Sequence, residues 1–341
     1  MTRGLGAPAL ALTLAVMVGG AGTTRAHDPI TTKLTFAREI RAILAARCVS
    51  CHAPGGSAPM PLTTYEEVRP WARAIKDQIL TRGMPKWHAA RGFGAFSNDP
   101  TLTPFEQSVL VSWLDGGLPE GTPARTVAAR PVAGLPSTQT SSAIRVTVPI
   151  RGEIARMAAG GPHWITGWTF APGDPLITAA VISLDGVPAA TWVAGDRPAT
   201  LPAGIGFRSA GRIRIDVRRR APTDYEQLFV PRRSVLTLLT ETAGPLRRAW
   251  TEQVACGELR TGVPAELLAV RPLLDRRDAR LWVARAGAPP AIVGWFRAFD
   301  PLYPRTYWLL RPADFNVDAR LLSDGPCRVE LTLVAPATAR R

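Results

Sequence analysis

The stretch Cys48-Val49-Ser50-Cys51-His52 constrains this chain more than any other five residues in it. Two thiols three positions apart can each add to one vinyl group of the same porphyrin, and the adjacent imidazole then falls under the iron. The order reads as the attachment site of one covalent haem c, with Cys48 and Cys51 as the thioether positions and His52 as an axial ligand. A redox dithiol has no need of His52. A zinc site needs two more ligands nearby, and the next cysteine is Cys256.

Such a haem is attached outside the bacterial cytoplasm, and residues 1–26 read as a signal peptide. Arg3 supplies the positive end, Ala7 to Val18 the apolar run, and Thr24-Arg25-Ala26 the small residues of a cleavage site before His27. An uncleaved N-terminal anchor is the alternative. The expected location is periplasmic, a compartment that permits disulfides. Cys256 and Cys327 are then a candidate disulfide, with two buried free thiols as the alternative.

The formal net charge is +14, and loss of Arg3 and Arg25 with the leader leaves +12. Only Lys33, Lys76 and Lys86 are lysines, so the charge is almost all arginine. That surface suits an acidic redox protein partner or a membrane-associated complex. Nucleic acid is not expected, because the chain carries no nucleic-acid motif.

The haem motif sits among helical signals. Phe36, Ile40, Ile43 and Leu44 have helical spacing and predict a helix that delivers Cys48 from its end. Ala53 to Pro59 reads as a loop. Thr64-Tyr65-Glu66-Glu67 and Thr103-Pro104-Phe105-Glu106 are capping boxes. The first should open a helix to Leu80, broken only at Pro70, with Val68, Trp71, Ala72, Ile75, Ile79 and Leu80 on its apolar face. The second should open a helix ending at Gly116-Gly117. Together these predict a small all-helical cytochrome c domain over 27–121.

The second iron ligand must come from the same domain. Met84 is the first choice, 32 residues after His52 in a Gly/Pro loop between predicted helices. His88 is a rival that would give a bis-His iron of lower potential. Met60 is another, only eight residues from His52, and an open site is the remaining alternative. Trp71 and Trp87 read as packing for the haem pocket.

Residues 36–122 resemble the haem module fused to bacterial homologues of copper type II, ascorbate-dependent monooxygenases. The resemblance is carried by the haem motif, Ala58-Pro59-Met60-Pro61-Leu62, Thr64-Tyr65-Glu66, Met84-Pro85-Lys86-Trp87-His88, and Trp113 to Gly121. Lys86 stands where the module usually has a second proline. The resemblance implies a c-type haem with Met84 as distal ligand.

From 122 to 143 the chain is Pro/Ala/Ser/Thr-rich and reads as a linker. Beyond it, short alternating runs are separated by Pro and Gly. Ile144 to Val148, Leu176 to Leu184, Ile213 to Val217, Ser234 to Leu239, Leu281 to Ala284, Ala291 to Phe296 and Val329 to Val334 are the candidate strands. The expectation is an antiparallel, jelly-roll-like β-sandwich region in two units, 144–240 and 241–341. The whole is a multidomain α + β chain.

The order of elements in this region also resembles those monooxygenases, more faintly. The positions matching the family's copper ligands are Thr178, Ala179, Arg218, Arg220, Leu273 and Asp275. None is histidine or methionine. The family's two coppers need about six imidazole or thioether ligands. From Ile144 onward the chain has one histidine, His163, and one methionine, Met157. His163 reads as a surface or turn residue, and His27 alone does not make a copper site. The β region is therefore expected to be a degenerate copper domain, and the chain a pseudoenzyme. Exposed Arg218, Arg219 and Arg220 are a candidate docking surface, or simply a solvated charge run.

Three functions compete. The first is a periplasmic mono-haem electron-transfer protein whose β region docks a partner. The second is a redox subunit of, or haem-dependent electron donor to, a monooxygenase-type enzyme. The third is a non-catalytic scaffold subunit of a periplasmic complex.

Overall fold

The computed structural model describes residues 32–54, 56, 58, 60–122, 142–148, 155–156, 163–222, 230–241, 246–257, 263–274, 278–315 and 318–336. The expected signal peptide, His27, Met157, Asp275 and most of the linker lie outside the described residues. The architecture is mixed α + β, with a modest helical part followed by a large system of sheets.

In the helical part, a π turn (Phe36–Ile40) runs into α1 (Arg41–Arg47), which ends at Cys48. Thr64 caps α2 (Tyr65–Val68), and a 3₁₀ turn at Arg69–Trp71, around Pro70, leads into α3 (Ala72–Leu80). Thr103 caps α4 (Pro104–Asp115). Both capping boxes form reciprocally, each threonine oxygen accepting the N3 amide while the N3 glutamate reaches back. Four orphan amides are thereby met by residues three positions away, which is why these helix starts were legible. The buried side chains Phe36, Ile40, Leu44, Leu62, Val68, Ile75, Ile79, Leu102, Val109, Leu110 and Trp113 form one core. Trp71 and Leu80 depart from the expected apolar face, being 43% and 50% exposed.

The strands are β1 (Ser142–Val148), β2 (Ala155–Arg156), β3 (His163–Ala171), β4 (Ile177–Leu184), β5 (Val187–Val193), β6 (Ala199–Thr200), β7 (Ile205–Ser209) and β8 (Arg212–Arg219). They continue as β9 (Ser234–Glu241), β10 (Arg247–Ala255), β11 (Ala265–Pro272), β12 (Ala279–Arg285), β13 (Ala288–Phe296), β14 (Tyr307–Phe315), β15 (Arg320–Ser323) and β16 (Arg328–Val334). All seven expected runs are strands. His163 opens β3 and pairs with Ser209, so it is a strand residue and not a turn residue.

One long sheet runs β1-β9-β3-β7-β10-β16-β11-β14, with β6 beside β3. The boundary expected at 240/241 falls inside β9, a strand of this sheet. Its joint is the pairing of β7 with β10, which is parallel, against the expectation of antiparallel pairing throughout. A four-stranded sheet, β2-β8-β4-β5, shares a hydrophobic core with β1, β3, β7 and β9. A three-stranded sheet, β13-β12-β15, shares a second core with β11, β14 and β16. Cys256 and Cys327 form a disulfide across 71 residues, with 5.3 Å between their Cα atoms. Arg271 and Glu330 face each other on β11 and β16 as a buried ion pair, 2.5 Å apart.

The helical part is not separate from the sheets. Residues 87–98 leave it and lie along the second β core. Ala89 bridges Phe296 and Phe96 bridges Leu309. The Ala90 amide donates to the Trp295 carbonyl at 2.7 Å, and Asn98 Nδ2 donates to the Thr306 carbonyl at 2.8 Å. Backbone polar groups in this connector are met by sheet edges, which explains how a stretch without its own secondary structure stays packed.

Candidate functional site

Cys48 caps α1, its amide donating to the Leu44 carbonyl at 2.8 Å. The chain then turns tightly: the amides of Cys51 and His52 both donate to the Cys48 carbonyl, at 3.1 and 3.0 Å. This holds the two thiols and the imidazole on a single turn. No disulfide joins Cys48 to Cys51. Burial is the main cause that pushes the Cys48 thiol up to about 12, with Cys51 adding to it. A thiol whose pKa is raised is the opposite of an activated redox cysteine.

His52 Nδ1 lies 2.9 Å from the Met60 carbonyl oxygen. With Nδ1–H donated there, Nε2 is the nitrogen with a lone pair to offer. Metal-binding histidines are usually fixed in this way by a backbone carbonyl on the other ring nitrogen. The donor set and its orientation therefore fit a covalent haem iron. Met60 is tied by its own carbonyl to the far side of the His52 ring, and its side chain packs on the helical core.

Met84 follows α3, its amide donating to the Gln78 carbonyl at 3.4 Å, and its side chain is 42% exposed. His88 sits elsewhere. It is buried, its Nδ1 is 3.3 Å from the Tyr307 hydroxyl, and its ring packs against Phe299. Burial holds it down at about 4, helped by Arg305. Trp87 likewise packs against Phe96 and Tyr307. Trp87 is half-buried and packs on the second β core.

The Cys48–His52 turn meets the β region directly. Gly195, at φ +88°, follows β5 so close to Cys51 that an added Cβ would clash with its Sγ. The Arg197 guanidinium donates to the Ala46 carbonyl at the end of α1. Beside it, Arg305 pairs with Asp196 and lies over the Trp87 ring. None of these three was read as functional from sequence. The partners in the Arg305 pair are 109 residues apart, and no local pattern signals such a pairing.

The arginine run is engaged, Arg220 Nη1 donating to the Ala221 carbonyl at 3.3 Å. Arg219 pairs with the buried Asp174 at 2.7 Å, and Arg218 donates to the Pro301 carbonyl at 2.5 Å. Of the positions expected to match copper ligands, Thr178 and Ala179 are buried on β4, and Ala179 faces Arg218 on β8. Leu273 follows β11. Among the described residues no three His, Cys, Asp or Glu side chains cluster as a metal site. No helix there is long and apolar enough to cross a membrane.

No family model and no curated protein matches the chain. Solved structures give distant likenesses. The major capsid protein P2 of bacteriophage PM2 is 11% identical over 58% of this chain and 99% of its own, with a TM-score of 0.30. A chain of the Sulfolobus turreted icosahedral virus is 10% identical over 57% of this chain and 88% of its own, with a TM-score of 0.23. Likenesses of this size bear on neither family nor function.

Proposed function

We propose that the chain is a periplasmic mono-haem c-type cytochrome for electron transfer, fused to a jelly-roll-like β region that is a degenerate relative of copper monooxygenases. The observation that carries the reading is the His52 ring, fixed through Nδ1 by the Met60 carbonyl, on one turn with Cys48 and Cys51. Cys48 and Cys51 would hold haem c through thioethers, His52 Nε2 would bind its iron, and Met84 would be the second ligand. Bound haem supplies a one-electron ferric/ferrous couple.

The chain's own residues do the rest. The α1 terminus orients the thiols, and the Met60 carbonyl fixes the imidazole tautomer. Met84 is preferred because its side chain is exposed and in a loop, whereas His88 is taken up by Tyr307 and Met60 is held behind His52. Trp71, Leu80 and Met84 have apolar surface to spare around α3. With His52 and Met84 both holding the iron, no coordination site would be left for a substrate. The basic surface suits an acidic redox partner.

The test is to express the full chain with its leader alongside a haem-attachment apparatus, then extract with acid acetone. The colour should stay with the protein, and Cys51→Ala should leave at most one thioether and lower the yield sharply. Haem that extracts freely from the wild type would overturn the reading. Met84→Ala should remove the weak long-wavelength band of thioether-ligated ferric iron. Retention of that band, with loss in Met60→Ala, would move the ligand to Met60.

A further inference from the structure

Met84 sits on a loop whose two ends are held by different parts of the molecule. On the α3 side, the amides of Gly83 and Met84 donate to the Gln78 carbonyl at 2.9 and 3.4 Å. On the other side, the anchors belong to residues 295–307 of the β region. Lys86 Nζ lies 5.6 Å from the centroid of the Tyr303 ring, and Trp87 packs on Tyr307 with ring centroids 4.7 Å apart. His88 Nδ1 meets the Tyr307 hydroxyl at 3.3 Å. The Arg297 amide donates to the His88 carbonyl and the Ala90 amide to the Trp295 carbonyl, both at 2.7 Å. A loop fixed at one end alone keeps much of its conformational freedom, so these anchors decide where the Met84 thioether can stand.

The Cys48–His52 turn has its own contacts with the β region, through residues 194–197. Gly195 lies against Cys51 Sγ, and Arg197 holds the Ala46 carbonyl just ahead of the turn. One side-chain pair joins the two sets of contacts. Asp196 stands between Gly195 and Arg197, and its Oδ2 accepts the Val193 amide at 2.8 Å. Its Oδ1 accepts Arg305 Nη1, while Arg305 Nη2 donates to the Ala194 carbonyl at 3.3 Å. The same guanidinium lies over the Trp87 ring, 5.9 Å from its centroid. The Arg305 and Asp196 side chains are only 6% and 18% exposed, so salt screens the pair little, and the planar guanidinium fixes direction as well as distance. Arg305 thus touches both the strap that follows Met84 and the segment that rests on Cys51.

We propose that Arg305 and Asp196 are positioning residues for the axial ligands of the iron: their bridge sets the separation of the Met84 loop from the Cys48–His52 turn. This rests on the haem reading above, in which His52 and Met84 must reach one iron. The β region then does more than dock a partner, because it holds the Met84 loop in register with the His52 turn.

The test compares variants of the full chain carrying covalent haem, by ferric spectrum and midpoint potential. Arg305→Met should keep its thioether-bound haem yet lose most of the weak long-wavelength band, and its potential should fall toward that of Met84→Ala. Arg305→Lys keeps the charge and should restore most of the band. Arg271→Met breaks a different buried pair, on β11 and β16, and should leave the band at full strength, which separates positioning from general destabilisation. An unchanged band and potential in Arg305→Met would overturn the proposal, and so would equal loss in Arg271→Met. Should Arg305→Met fail to fold, Asp196→Asn removes the charge at constant shape. It should weaken the band in part, and a full band there would overturn the proposal. Hydrogen exchange in the chain made without haem reads the bridge independently: Arg305→Met should speed the Ala90 and Cys51 amides about tenfold. A wild type with covalent haem but no band would overturn the Met84 assignment and the proposal with it, whereas unchanged exchange at both amides would overturn the bridge alone.

Discussion

The helical part and the β region are organised on different length scales. In the helical part each start is set by a threonine and a glutamate three residues apart, and the thiols and imidazole share one turn. In the β region the decisive contacts join distant residues. β7 meets β10 to unite two cores, Arg271 meets Glu330 across 59 residues, and Arg305 meets Asp196 across 109. Local contacts repay their ordering entropy at once, whereas distant ones must first close long loops. The chemistry-bearing residues therefore sit where order is locally specified, and the β region supplies the rigid surface against which they rest.

The sharpest break of this contrast is Arg271→Met. It strands Glu330 in the long sheet, both side chains being only 4% exposed, with Gln253 Nε2 as its remaining donor at 3.1 Å. Removing one partner of a buried pair typically costs 3–5 kcal/mol, so unfolding in urea should show a loss of about 4 kcal/mol. Replacing both residues with apolar ones should restore most of it. If the single variant costs under about 1 kcal/mol, the pair is not a keystone of the sheet.

His88 tests where the two parts meet. Buried against Tyr307 and Phe299, with Arg305 and Lys86 opposing its charge and Asp300 favouring it, it stays neutral in the folded chain down to about pH 4. In the unfolded chain it takes a proton near pH 6.5. The unfolded state thus binds more protons between those values, so stability is full above pH 6.5 and falls as pH drops toward 4. From pH 7 to 5 the loss from this residue should be about 2 kcal/mol. His88→Gln should flatten that slope, as read by urea unfolding at each pH. Parallel slopes in variant and wild type would mean that His88 is not buried in this contact.

Legibility in the sequence followed the same division. The end of α1 at Cys48, both capped helix starts and seven strands were readable because each is written in neighbouring residues. β3 was missed, although Trp164, Trp168 and Phe170 lie along it, since His163 after a Gly-Pro pair read as a surface or turn residue. His88 and Trp87 carried a motif pattern that pointed toward the haem site, yet their neighbours in space are Tyr307 and Phe299, more than 200 residues away in sequence. The parallel joint of β7 and β10 and the pairing of Arg305 with Asp196 had no signal at all, because each arises only when remote segments meet.

The mildest test separates local from distant order most cleanly. Thr103 accepts the Glu106 amide at 3.1 Å, and Glu106 accepts the Thr103 amide at 2.7 Å. Burial alone would raise the Glu106 carboxyl, but the bonds from Thr103 and Arg47 prevail and hold it below its usual range. Thr103→Ala removes one of these bonds and should cost about 1 kcal/mol, as typical for an N-cap threonine. Because the signal is local, hydrogen exchange should quicken in the first turns of α4 and leave the amides of β11 and β16 as protected as before. Equal loss of protection in those strands would show that the helical part and the long sheet open as one unit, and the division between local and distant order would then fail.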